Sequence, residues 1–369
     1  MRVLGFGTYD RARHPRAGVL LDGLQESGAQ VDELVLPLGF STAERVDMLA
    51  HPWKVSRLVA RLATRWAGLV RRRYAAGSPE VVLVGYLGQL DVLLARALFP
   101  RAIIVLDLLV LGADTVTDRG HGSRLRLAAT GSLDRAAMAA ANVIVVDTAA
   151  HAMLVPERAR TKVVVCPVGA GAAWYDARKP ERATTNPLSV VFYGAHTPLQ
   201  GTPVIGAALA LLETELSQGR LRVTMIGEGQ DLVACRRAAG DVPGVTWHGW
   251  IEPAELPGIV ASHDICLGVF GTTAKGSRVV PHKVFEGAAA GCAIVTSGTA
   301  PQRESLGNSA VLVPPGDPAA LATVLAHLVS DAALVDRLRL RAAQHADQAY
   351  RPRVVAAALH STLLRKCHD

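Results

Sequence analysis

Residues 278–304 read RVVPHKVFEGAAAGCAIVTSGTAPQRE. Pro281 suits the first turn of a helix, where its missing N–H costs nothing. A helix beginning there leaves the backbone N–H groups of His282 and Lys283 as donors at the positive end of the helix dipole. That is an anion site, to which Lys283 adds a mobile charge. Glu286 follows three residues after Lys283, on the same face and one turn deeper. A carboxylate there accepts both hydroxyls of a ribose while the helix end holds the attached phosphates. Ala288, Ala289, Ala290 and Gly291 let the helix pack closely and stop. CAIVTSG (292–298) then reads as a short buried strand.

The same alternation extends outward. Towards the N-terminus lie LSVVFYG (188–194), LRVTMIG (221–227), VTWHGW (245–250) and DICLGVF (264–270), with helical stretches between them; AVLVPPG (310–316) follows. The first half shows RVLGF (2–6), a strand near 31–36, VVLVG (81–85), AIIVLD (102–107), NVIVVD (142–147) and KVVVCPVG (162–169). Helices are expected near 17–27, over 52–74, from about Leu90 and through 123–140. Short apolar strands alternating with helices predict parallel, doubly wound sheets. The expected class is therefore α/β with two Rossmann-like domains and a cleft between them. The expected boundaries are 1–178 for the first domain and 188–345 for the second. The polar stretch 179–187 is the linker, and a C-terminal helix over 346–369 crosses back to the first domain.

Length and composition agree. The 369 residues suffice for two cores, half are hydrophobic and 19% are charged. No apolar run reaches the ~18 residues of a membrane span, and MRVLGFGTYD has no signal-peptide pattern, so a cytoplasmic protein is expected. Cys166, Cys235, Cys266, Cys292 and Cys367 form no CxxC pair and read as ordinary thiols, not as a disulfide frame or a zinc site. There is no GxSxG elbow and no P-loop. The net charge of +7 sits in the first half, with 23 Lys and Arg against 16 Asp and Glu in residues 1–180. Basic surface attracts phosphates, anionic lipid or nucleic acid. Arg71, Arg72 and Arg73 fit either peripheral contact with an inner membrane face or a solvated helix end. Aromatic residues do not interleave with the basic ones, which argues against nucleic acid.

The segment PHKVFEGAAAG resembles the nucleotide-sugar-binding signature of the family-4 retaining glycosyltransferases, which have the GT-B fold. GAHTPLQG (194–201) resembles their Gly-rich turn, IGEGQ (226–230) their GxG turn, and VTWHGWIEPAELPGIVASHDICL (245–267) the segment bracketing the base. The resemblance implies hexose transfer from a nucleoside-diphosphate sugar, UDP or GDP first, to a small-molecule, glycan or lipid-linked hydroxyl. Anomeric configuration is retained and no metal or other cofactor is needed. It implies donor contacts from Gly194, His196, Gln200, Gly227, Glu228, Gly229, Trp250, Ile251, Arg278, His282, Lys283, Glu286 and Glu304. Lys283 stabilises the leaving diphosphate.

Three positions depart from the family pattern. Arg278 stands where the first of two glutamates is usual, and Ala195 and Gln200 replace the two cations of the Gly-rich turn. A non-catalytic sugar-nucleotide-binding relative is the alternative these departures leave open. In the first half, Gly5–Asp10 partly imitates GxGxxG, but with Asp at the sixth position it is weak support for an NAD-dependent oxidoreductase. The same loop, through Gly7, Thr8, Tyr9 and Arg13, is expected to bind acceptor. So are Asp114, Asp118 and Arg119 in the loop after AIIVLD. Asp107, at the end of that strand, is the candidate to orient the acceptor hydroxyl during catalysis, and a helix cap is its ordinary alternative.

Overall fold

The structure is a computed structural model that describes residues 1–39, 55–118, 124–179, 183–184 and 186–368. It has two compact units: Met1–Pro167 with Pro352–Asp369, and Val168–Arg351. Each is built on a six-stranded parallel sheet.

The first unit orders its strands β2-β1-β3-β4-β5-β6. They are β1 Arg2–Gly7, β2 Gln30–Val35, β3 Val81–Val84, β4 Ile103–Asp107, β5 Val143–Val146 and β6 Val163–Val165. Alternate residues of the inner strands β3, β4 and β5 enter opposite cores, which explains why β3 and β5 are apolar throughout, whereas the edge strand β2 carries Gln30, Asp32 and Glu33. Val81, Leu83, Val105 and Val143 join Leu20, Leu24, Leu359 and Leu363 on one face. Val82, Val84, Ile104 and Ile144 join Val92, Ala95, Ala137 and Met138 on the other. The chain re-enters this unit through the helices Pro352–Val355 and Ala357–His368. A Cβ on Gly23 would lie 2.0 Å from the Pro352 carbonyl oxygen. Only glycine lets the helix Arg16–Glu26 approach so closely.

The second unit orders its strands β12-β11-β10-β7-β8-β9. They are β7 Leu188–Tyr193, β8 Leu221–Ile226, β9 Val245–His248, β10 Ile265–Leu267, β11 Ala293–Ser297 and β12 Ala310–Val313. Its core gathers Val190, Phe192, Leu209, Leu221, Met225, Leu267, Val295, Leu321 and Leu325. Strand β7 is central, with β8 on one side and β10 on the other, so the order of connections reverses between β7 and β10.

Two expectations change in the structure. The division between the units falls after Pro167, and residues 168–178 and the described part of 179–187 belong to the second unit. The reason is packing. Trp174, on the helix Ala172–Ala177, stacks on Tyr193. Arg178 donates to Asp347, and Thr184 donates through its backbone N–H and its hydroxyl to Asp336. The stretch 112–118, expected as a loop, is the helix Gly112–Asp118. Among the described residues no single helix is long and apolar enough to cross a membrane.

Candidate functional site

The segment at 281–289 folds as a helix, His282–Ala289, with Pro281 as its N-cap residue in an extended conformation. Proline therefore sits one position earlier than expected, and His282 is the first helical residue. No side chain caps this end. Parallel α/β sheets bind ligands at the carboxyl ends of their strands, where the connection order reverses. The turns after β7 and β10 meet this helix at Lys283 and Val284, and the turn after β8 packs on the one after β7.

Gly194 follows β7 with φ +136°, and Gly227 follows β8 with φ +123°. A Cβ on Gly227 would lie 2.0 Å from the Gly194 carbonyl oxygen, and one on Gly229 would lie 2.3 Å from the His196 carbonyl oxygen. The two turns are thus pressed backbone to backbone. The His196 N–H donates to the Glu228 carbonyl at 2.9 Å, and the Phe270 N–H to the Gln200 carbonyl at 2.9 Å. The loop 194–201 is fastened on both sides.

Lys283 and Glu286 lie behind these turns, both buried. The Lys283 ammonium donates to Gln200 Oε1 at 2.6 Å and sits 3.7 Å from the centroid of the Phe192 ring. Burial pushes it down to about 7, against the pull of Cys266 and Glu286. A Cβ on Gly194 would lie 3.2 Å from Lys283 Nζ, so the glycine leaves the ammonium facing the turn. Gln200, where the family pattern has a cation, supplies an acceptor instead. Glu286 Oε2 accepts a hydrogen bond from Tyr193 Oη at 2.7 Å, and its Oε1 is 4.0 Å from His282 Nδ1. Burial pushes the carboxyl up to about 7, while the Tyr193 hydrogen bond and Lys283 hold it back.

His196 has no exposed surface and neither ring nitrogen has a partner. Its ring meets Phe192 edge-on at 5.5 Å. Burial, followed by the Lys283 and Arg236 cations, pushes the imidazole down to about 4, so it is neutral at pH 7. The site therefore combines a helix end, an ammonium, a neutral imidazole and a carboxylate within one loop cluster. That set suits a phosphate joined to a diol.

The remaining expected donor residues are placed differently. Trp250 is 55% exposed and its indole N–H donates to Glu252 at 3.3 Å. Ile251 is half-buried, Glu228 is exposed, and Arg278 is half-buried on the turn Gly276–Arg278. Glu304 is exposed on the separate helix Ala300–Leu306. Tyr193, Trp174 and Arg236 were not among the expected residues. The one signal for Tyr193 was its place as the last residue before a glycine turn.

In the first unit, Thr8 donates through its backbone N–H and its hydroxyl to Asp91 Oδ2, each at 2.7 Å, just after Gly7. His14 stacks on Tyr86 with centroids 3.9 Å apart. These loops follow β1 and β3, the reversal point of that sheet. Tyr9 is a correction: it is buried and donates to Glu33 at 3.0 Å, so its hydroxyl holds β2 and faces no solvent. Asp107 is a second correction. Its side chain is buried against Arg16, with Nε to Oδ1 at 2.7 Å. The two other guanidinium nitrogens of Arg16 donate to the carbonyls of Pro167 and Cys166. Oδ1 of Asp107 is committed to this ion pair, and its Oδ2 is buried without a hydrogen-bond partner. Arg13 is exposed and 3.7 Å from Asp10. Asp114 is half-buried in the first turn of the helix that Asp118 closes, and Arg119 lies outside the described residues.

Residues 187–331 match the family Glycosyl transferases group 1. That span lies within the second unit and holds the whole loop cluster. No curated protein sequence matches the chain. Sucrose-phosphate synthase from Thermosynechococcus elongatus superposes with a TM-score of 0.71 at 13% identity, over 100% of this chain and 99% of that one. HepE from Anabaena, solved with UDP-glucose, gives 0.66 at 15%, over 99% and 100%. An α,α-trehalose-phosphate synthase (UDP-forming) from Burkholderia vietnamiensis gives 0.63 at 16%, over 98% and 96%. At such identities the likeness is one of fold: two Rossmann-like units of the GT-B class.

Proposed function

We propose that the protein is a glycosyltransferase that moves a hexose from a nucleoside-diphosphate sugar to an acceptor hydroxyl with retention. In this reading the second unit holds the nucleotide and the first unit meets the acceptor. The observation that carries the reading is the buried Lys283–Glu286 pair at an uncapped helix start, set among the turns after β7, β8 and β10. Glu286 accepts from the ribose, and the helix end with Lys283 holds the diphosphate. UDP is the first choice of nucleotide, because HepE is solved with UDP-glucose and the trehalose-phosphate synthase is UDP-forming.

The acceptor oxygen bonds to the anomeric carbon as the bond to the diphosphate oxygen breaks. The leaving diphosphate takes the acceptor proton on the same face. Charge grows on the diphosphate during this step, and Lys283 is placed to stabilise it. The departures at Ala195 and Gln200 remove two cations, which leaves Lys283 as the main side-chain charge at this helix end.

A thermal-shift panel of UDP, GDP, ADP, TDP and NAD tests the assignment. A ligand at about 100 times its Kd adds about 2.7 kcal/mol, which for a unit of this size is a rise of roughly 5–11 °C. UDP or GDP is expected to give that rise. No response to any diphosphate alongside a rise with NAD overturns the reading in favour of an oxidoreductase. Tight UDP binding without transfer to a broad acceptor panel and without slow donor hydrolysis favours a non-catalytic relative.

A further inference from the structure

Glu286 is held by a partner from another element. Tyr193 closes β7, immediately before the Gly194 turn, and its hydroxyl donates to Glu286 Oε2 at 2.7 Å. The tyrosine is itself fixed. It is buried, and the Trp174 ring stacks on it with centroids 5.7 Å apart and planes 21° from parallel. A glutamate has three rotatable side-chain bonds, and ordering it on ligand binding costs affinity. Here that ordering is already done, because one oxygen is pinned.

We infer that Tyr193 is the positioning residue for Glu286 and sets how strongly the site distinguishes a ribonucleotide from a deoxyribonucleotide. The inference rests on the proposed nucleotide reading of this site. A carboxylate has about four lone-pair directions, and Tyr193 occupies one of them. Oε1 and the remaining direction of Oε2 stay available to the two hydroxyls of a ribose. A diol engages both oxygens only if the carboxylate plane is fixed towards it. Released from Tyr193, the carboxylate turns, and the gain from the 2′-hydroxyl falls towards that of a solvated contact. Tyr193 also opposes the burial that favours the protonated acid, which accepts fewer hydrogen bonds.

The test is calorimetric. UDP and GDP, each paired with its 2′-deoxy counterpart, are titrated into the parent and into Tyr193→Phe, with inorganic pyrophosphate as the control. Phenylalanine keeps the ring on Trp174 and removes only the hydroxyl. In the parent, the deoxy ligand is expected to bind on the order of ten- to a hundredfold more weakly, the loss of one hydrogen bond to a charged group. In Tyr193→Phe that ratio is expected to fall below about threefold, with pyrophosphate affinity unchanged. The ratio does not depend on how much protein is folded. A deoxy penalty that survives intact in the variant overturns the inference and leaves the nucleotide reading standing. Loss of pyrophosphate affinity in step with UDP overturns it too, since the hydroxyl then supports the helix end as a whole. A parent that binds neither UDP nor GDP overturns the nucleotide reading itself.

Discussion

Asp107 separates a catalytic role from a structural one, and the structure sets the size of the effect. Its side chain and that of Arg16 are 0% and 1% exposed, and they pair at 2.7 Å. Asp147, bonded to His151 Nδ1 at 2.7 Å, also acts electrostatically on Arg16. Removing one member of a buried pair costs about 3–5 kcal/mol, because the other charge is left without compensation. Asp107→Ala should sit at the lower end, since Asp147 still faces Arg16. Arg16→Met should sit at the upper end or beyond, because the carbonyls of Cys166 and Pro167 also lose their donor. In a unit of this size 3–5 kcal/mol lowers the melting temperature by roughly 6–20 °C. Urea and thermal unfolding, followed by circular dichroism, give the stability of each variant. Calorimetry with UDP, at a temperature where each variant is folded, gives the affinity. The structural reading requires a large stability loss, the order Arg16→Met above Asp107→Ala, and UDP affinity within about twofold of the parent. An Asp107→Ala protein that melts within a degree of the parent but loses sugar transfer would refute the reasoning and restore Asp107 to the chemistry.

Lys283→Ala is expected to cut turnover by roughly 10²–10³-fold while UDP affinity falls far less; equal losses in transfer rate and calorimetric affinity would make Lys283 a binding residue only. Glu286→Gln should weaken UDP binding by about 1.5–3 kcal/mol without lowering the melting temperature, because it removes a charge that burial disfavours; unchanged affinity removes the ribose role. His196 has a folded-state value of about 4, below its ordinary 6.5. Its contribution is thus present above pH 6.5 and is lost as pH falls from 6.5 through 4, a change on the order of 3 kcal/mol. His196→Phe should flatten that limb of the urea stability-versus-pH curve, and an unaltered acid limb contradicts the neutral, buried imidazole.

Local chemistry carried part of this protein openly in its sequence. Runs such as VVLV at 81–84 and VIVV at 143–146 are apolar at every position because both faces of their sheet are covered, and that announces parallel strands between helices. Pro281 with the small residues 287–291 brackets a helix, and Gly194, Gly227 and Gly229 mark sharp turns, because such signals depend only on neighbours along the chain. Pairings across the chain were not legible. Arg16 meets Asp107 from 91 residues away, Lys283 meets Gln200 from 83, and Tyr193 meets Glu286 from 93. Nothing local distinguishes Asp107, sealed in an ion pair, from a strand-end aspartate open to a ligand. The division after Pro167 was equally hidden. The polar stretch near 179 looked like a linker by composition, yet Trp174, Arg178 and Thr184 bind it to the second unit through Tyr193, Asp347 and Asp336. Strand and turn identity are written in residue periodicity. Which buried charge finds which partner is decided only when the sheets bring distant segments together, because burial makes an unpaired charge too costly to leave alone.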